Sequence, residues 1–125
     1  MTATLDRAEV VGRGRAADPA AVEAVARAIC ASEADVLVLA GDCAGDGPEL
    51  MDDVLALFGD FDGMRLMVPG NHDLWESEPP FDTPRVYEQT VPAIAAEHGF
   101  HCLDQAPAIV DDTAFVGSMG WYDYQ

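Results

Sequence analysis

The sequence predicts an α/β fold with at least partly parallel strand pairing. Two short apolar runs, Val36-Leu37-Val38-Leu39-Ala40 and Arg65-Leu66-Met67-Val68, each stop abruptly at a glycine-containing loop, as buried strands do. Segments with helical spacing precede, separate and follow them. Strands alternating with helices are the pattern of parallel α/β sheets.

The elements follow in chain order. Residues 1–18 form an atypical segment carrying Arg7, Arg13 and Arg15, and with Arg27 they hold four of the six basic residues. Within it Ala8-Glu9-Val10-Val11 reads as a stub of strand, followed by a Gly12-Arg13-Gly14-Arg15 loop. Asp18-Pro19 is a helix start, with aspartate at the cap and proline in the first turn. Val22, Val25, Ala26 and Ile29 recur at helical spacing, which predicts a helix over 19–31. Ser32–Asp35 turns into the strand at Val36–Ala40. Gly41–Gly47 is a glycine- and aspartate-rich loop.

Pro48 opens a second helix, with Leu50, Met51, Val54, Leu55 and Phe58 on one face. Gly59–Gly63 is a turn and Met64–Val68 the next strand. Gly70–Pro80 is a polar and aromatic loop. A third helix spans Pro84–His98, and Pro92 kinks or breaks it because proline has no N–H to donate. Phe100–Leu103 and Ala108–Val110 are short strands, and Asp111-Asp112-Thr113 is a hairpin turn into Ala114–Gly117. This gives one domain over 19–125.

Charge is the outlier of the composition. Six basic against 23 acidic residues give a net charge of −17, while half the chain is hydrophobic and 23% is charged. A negative field disfavours nucleic acid and anionic membranes, so neither is an expected partner. The bland reading is a solvated acidic surface. Cys30, Cys43 and Cys102 are odd in number and scattered, which is neither a disulfide framework nor a zinc-ribbon spacing. No signal-peptide core or membrane-length apolar run is visible, so a reduced, cytoplasmic setting is expected.

Chemistry concentrates where the two strands end, and open α/β sheets bind ligands at such ends. The first strand leads to Gly41-Asp42 and the second to Gly70-Asn71-His72-Asp73. A carboxylate such as Asp42 has two oxygens and can bridge two divalent cations. Asn71 offers a neutral hard oxygen. His72 can bind metal or give a proton to a leaving group. Asp73 beside it could orient the imidazole and keep it protonated. Taken singly, each is more often a turn, cap or surface residue; the joint pattern is far more specific. Gly41–Gly47 lacks the lysine of a P-loop and the spacing of a calcium loop. Cys43 reads as a packing residue, and His98 and His101 as surface or turn residues. Trp75, Phe81, Trp121, Tyr122 and Tyr124 read first as packing aromatics and second as pocket walls.

This joint pattern resembles the calcineurin-like metallophosphoesterases. Gly41-Asp42-Cys43-Ala44-Gly45 is similar to the family's second motif, and Gly70-Asn71-His72-Asp73 to its third. Val116–Asp123 is similar to a Gly-Trp-Tyr-Asp segment of some members. The resemblance implies a double β-sandwich flanked by helices, here incomplete. It implies Asp42 bridging two metals, Asn71 on the second, and His72 at the phosphoryl group supported by Asp73. The implied cofactors are divalent metal ions (Mn, Fe, Zn or Mg), and the implied substrate is a small phosphate ester or a phosphoprotein.

The sequence also departs from the family. No Asp-x-His first motif, later histidine ligand or Gly-His-x-His motif occurs. Two ligands hold one ion weakly and not a pair, so weak or no hydrolysis is expected. A truncated or frameshifted product is one explanation. A half-domain completed by another chain is a second, and a non-catalytic interaction module on the same scaffold a third. An incomplete domain would also expose apolar surface able to drive association.

Overall fold

A computed structural model describes residues 2–5, 18–44 and 47–120, the first of these in backbone only. The proposed strand stub at 8–11 lies outside the described residues, as do Trp121, Tyr122 and Tyr124. Four strands, β1 (Thr2–Leu5), β2 (Val36–Ala40), β3 (Met64–Val68) and β4 (Phe100–Cys102), form one parallel sheet in the order β1-β2-β3-β4. β5 (Ala108–Val110) and β6 (Thr113–Phe115) form a separate antiparallel pair. The fold is α/β, as expected. The strand at β1 is a finding, since no strand was expected before residue 8.

Strand order equals chain order in the parallel sheet, so right-handed crossovers bring every connecting helix to the same face. The buried side chains show this. Leu37, Leu39, Met67 and Phe100 from the sheet cluster with Ala26 of helix α1 (Pro19–Cys30) and with Met51 and Leu55 of helix α2 (Met51–Ala56). Val91 and Ala95 from helix α3 (residues 83–97) complete that layer. The alternate residues Val36, Val38, Leu66 and Val68 point the other way, because side chains alternate along a strand. They pack with Leu103, Ala108, Val110 and Phe115, so the β5–β6 hairpin covers the second face. A parallel sheet needs cover on both faces.

Local chemistry sets the helix boundaries. Asp18 caps α1, its carboxylate accepting the Ala20 N–H at 3.1 Å, with Pro19 in the first turn. Pro48–Leu50 is a 3-10 turn leading into α2, not part of the α-helix. Its tighter winding rotates Leu50 off the apolar face, and Leu50 is 48% exposed where burial was expected. Helix α3 covers 83–97 in three pieces: Thr83–Arg85, a π segment at Val86–Thr90, and Val91–Glu97. Pro92 cannot donate to the Glu88 carbonyl and its ring crowds that oxygen. The helix widens by a π turn before Pro92, which is a milder outcome than a break.

Trp75 and Phe81 overturn a second expectation. Both were read as packing aromatics, and they are 52% and 65% exposed. His98 is half-buried and bonds Asp52 of α2 through Nε2 at 2.8 Å, joining two helices. Cys30, Cys43 and Cys102 form no disulfide with one another. Among the described residues, no helix is long and apolar enough to cross a membrane.

The two-faced sheet carries a stability expectation. Leu37 is fully buried between sheet and helices, and Leu37→Ala is expected to cost about 2–5 kcal/mol. Ile109 is 72% exposed on the hairpin, and Ile109→Ser is expected to stay within about 0.5 kcal/mol of wild type. Urea denaturation of the two variants checks the contrast.

Candidate functional site

Parallel strands all leave a sheet at the same edge. β2 and β3 therefore deliver Gly41-Asp42 and Gly70-Asn71-His72-Asp73 side by side. At that edge lies a cavity of about 440 Å³, lined by Asp42, Gly70 and Asn71 from these loops and by Gly117, Ser118 and Met119 from the segment after β6.

The turn that aims Asp42 is unusual. Gly41 and Asp42 both have left-handed backbones, with φ of 86° and 51°. Glycine adopts this freely and aspartate tolerates it better than most residues. Gly70 sits so close that a Cβ there would run into the Asp42 carboxylate and backbone. Only glycine allows the two loops to approach this far.

His72 is held by Asp42. Its backbone N–H donates to Asp42 Oδ1 at 3.0 Å, and its Nδ1 lies 2.9 Å from Oδ2. The two side chains are each about one-third exposed, 33% and 30%. The imidazole packs edge-on against Trp75, with ring centroids 4.1 Å apart. His72 does not itself line the cavity.

Asp73 is not the partner of the imidazole. Residues His72–Leu74 form a 3-10 turn, in which neighbouring side chains diverge. Asp73 turns inward and is fully buried. Its Oδ2 accepts from Gly70 N–H at 2.8 Å and Cys43 N–H at 3.2 Å, and its Oδ1 from Ala44 N–H at 2.8 Å. Burial pushes this carboxyl above its ordinary range, and nearby Asp42 adds to the rise; the N–H groups of Ala44, Gly70 and Cys43 pull the other way. Gly47 N–H donates to the His72 carbonyl at 3.0 Å, a further bond between the loops.

Two residues of this region carried no sequence signal. Asp104, just past β4, accepts the Tyr87 hydroxyl and, at 3.0 Å, the Met119 N–H on Oδ2. The hydrogen bond to Asp104, with burial second, pushes the Tyr87 phenol up to about 12. Asp104 Oδ1 is buried without a partner among the described residues. Tyr87 and Asp104 are 17 residues apart, and only the fold pairs them.

The donor set limits what metal the site can take. Each Asp42 oxygen accepts one hydrogen bond and retains a second lone pair. Asn71 shares the cavity. Among the described residues, no group of three or more His, Cys, Asp or Glu side chains is arranged to hold a metal ion. A hard divalent ion takes about six ligands. Asp42 and Asn71 alone fall short of that number, so the described residues do not by themselves supply the donors for a fixed pair of ions.

The family described as calcineurin-like phosphoesterase matches residues 15–120 of the chain. No curated protein and no solved structure matches it.

Two measurements follow from this geometry. Asp73→Ala strands three backbone donors, each worth about 1–3 kcal/mol when left unsatisfied, so a loss of about 3 kcal/mol or more is expected in urea denaturation. Asp73→Asn keeps one accepting oxygen and is expected to lose less. The Tyr87 phenol is the second case. Its raised value means it stabilises the fold fully below the unfolded value of about 10, and that contribution is lost as pH rises through about 12. The absorbance difference between wild type and Tyr87→Phe is expected to titrate near 12 and to drop toward 10 in Asp104→Ala.

Proposed function

The chain belongs to the calcineurin-like phosphoesterase family, and from that premise we propose that it binds phosphate esters at the strand-end cavity, with one divalent cation on Asp42 and Asn71. One observation carries this reading. Two loops far apart in sequence place Asp42 and Asn71 on one cavity, with His72 bonded to Asp42. Substrates of this kind are small phosphate esters or a phosphoprotein.

His72 is the proton carrier in this reading. Its Nδ1 is engaged by Asp42, which fixes the ring and leaves Nε2, beside the cavity and not in its wall, as the atom available to a leaving group. As a water oxygen bonds to phosphorus and loses a proton to solvent, the ester P–O bond breaks, the proton on Nε2 passes from the imidazolium to the leaving oxygen, and the imidazole is left neutral. Asp73 acts at one remove, by fixing the loops that carry Asp42 and His72. Asp42 and Asn71 would hold a divalent ion, which would supply Lewis-acid polarisation of a phosphoryl oxygen. Manganese, iron, zinc and magnesium all accept this donor chemistry.

Turnover by this chain is proposed to be weak or nil, because two protein donors do not fix a pair of ions. The β5–β6 hairpin is proposed as the start of the second layer of a sandwich, and the setting as cytoplasmic. A second reading, a non-catalytic interaction module on the same scaffold, draws on the exposure of Ile109 (72%) and Val116 (77%).

Calorimetric titration of the chain with Mn²⁺, beside Asp42→Ala, tests the site. One weakly held ion per chain, lost in the variant, is the expected result. Two tightly held ions would refute the single-ion site. No binding at all would favour the interaction module. Hydrolysis of a chromogenic phosphate ester with Mn²⁺ is expected near background; clear turnover abolished by His72→Ala would show that the centre is more complete than proposed.

A further inference from the structure

The segment 116–119 has no regular secondary structure, yet it walls the same cavity as Asp42 and Asn71. A loop that shapes a ligand cavity has to be held in place by something. Two contacts do this. Gly117 packs so tightly that a Cβ would come within 2.5 Å of Val68 and 2.8 Å of Leu103. Met119 is fixed through its backbone N–H, which donates to Asp104 Oδ2 at 3.0 Å.

Asp104 is itself anchored. The Tyr87 hydroxyl donates to the same oxygen, Oδ2. Tyr87 stands in the π segment Val86–Thr90, which ends two residues before Pro92. A π turn inserts one residue into the helical frame and shifts the facing of the side chains around it, and such turns recur at functional sites. One line of contacts thus runs from the widened helix turn through the Tyr87 hydroxyl and the Asp104 carboxylate to the cavity wall.

We infer that Tyr87 and Asp104 are positioning residues for the candidate site: Asp104, held by the Tyr87 hydroxyl, clamps the Met119 backbone and sets the Gly117–Met119 wall against the ends of the strands. Neither residue lines the cavity. Their effect on binding rests on the reading that this cavity takes phosphate, whereas the clamp itself stands on the contacts alone.

Amide hydrogen exchange and phosphate calorimetry on the full chain separate the two parts. Tyr87→Phe removes only the anchoring hydroxyl, and Asp104→Asn keeps an accepting oxygen. In Tyr87→Phe, exchange at Ser118–Gly120 is expected to quicken about tenfold, the size of one lost hydrogen bond, with amides of β2 and β3 unchanged. Inorganic phosphate, titrated with Mn²⁺ present, is expected to bind about tenfold more weakly in that variant. Asp104→Asn is expected to fall between it and wild type, and Asp104→Ala to equal or exceed Tyr87→Phe. Unchanged exchange at Met119 in Tyr87→Phe would overturn the clamp. Faster exchange with unchanged phosphate affinity would overturn its role in the site. Wild type failing to bind phosphate would overturn the proposed ligand, and the exchange result would still decide the clamp.

Discussion

The candidate site depends on the buried carboxylate of Asp73. Removing a carboxylate from water costs several kcal/mol unless hydrogen bonds replace the lost hydration. Three backbone N–H groups do so here, one from the loop after β3 and two from the loop after β2. The group that offsets its own burial in this way also fixes the spacing of the two loops. The left-handed turn at Gly41-Asp42 and the missing side chain at Gly70 then have one consistent arrangement. Asp42 can reach both the backbone and the ring of His72 only because this stitch holds.

The sheet explains why the stitch lies where it does. Sequential parallel strands put all connecting helices on one face and all outgoing loops at one edge. The hairpin covers the other face with Ala108, Val110 and Phe115, and the chain after it returns to that edge as the cavity wall. Three segments distant in sequence thus meet in one place, and each is tied by a backbone-directed carboxylate: Asp73 for the first two and Asp104 for the third. Carboxylates suit this task because each oxygen can accept more than one N–H or O–H. In so acidic a chain, some of the acids form internal scaffolding as well as solvated surface.

Legibility in the sequence followed the strength of the local signal. β2 and β3 are dense apolar runs and are readable to the residue, as is the Asp18 cap, whereas Pro92 signals an irregularity whose form and place, a π segment at Val86–Thr90, it does not give. β1 is not readable, because Thr2-Ala3-Thr4-Leu5 holds a single large apolar residue and reads as a polar terminus. Leu50 was misplaced because apolar spacing does not separate a 3-10 turn from an α-helix. Asp73 was given the imidazole because adjacency in sequence suggests contact, and the 3-10 turn sends the two side chains apart. Trp75 and Phe81 were assigned to packing because aromatics usually are; their loop carries them outward. Tyr87 and Asp104 were invisible for a different reason. Neither belongs to a pattern, and their pairing exists only after β4 has docked beside β3.

Electrostatics then constrains how such a site could be used. The chain carries a net charge of −17, and among the described residues the cavity presents Asp42 with no arginine in its lining. A phosphate approaching it meets a field of its own sign, strengthened where the walls exclude water. The same field concentrates divalent cations, and a bound cation inverts the local sign. On the proposed function, affinity for an anionic ester at this edge would therefore depend on the cation, and a site with few protein donors would be limited first by how long it keeps its ion. Asp42 bears that limit most directly, since the carboxylate that would hold the ion is the one that holds His72 in place. Each Asp42 oxygen has one lone pair beyond its bond to His72, so one carboxylate would serve a cation and His72 together, and the rigidity supplied by Asp73 bears on both.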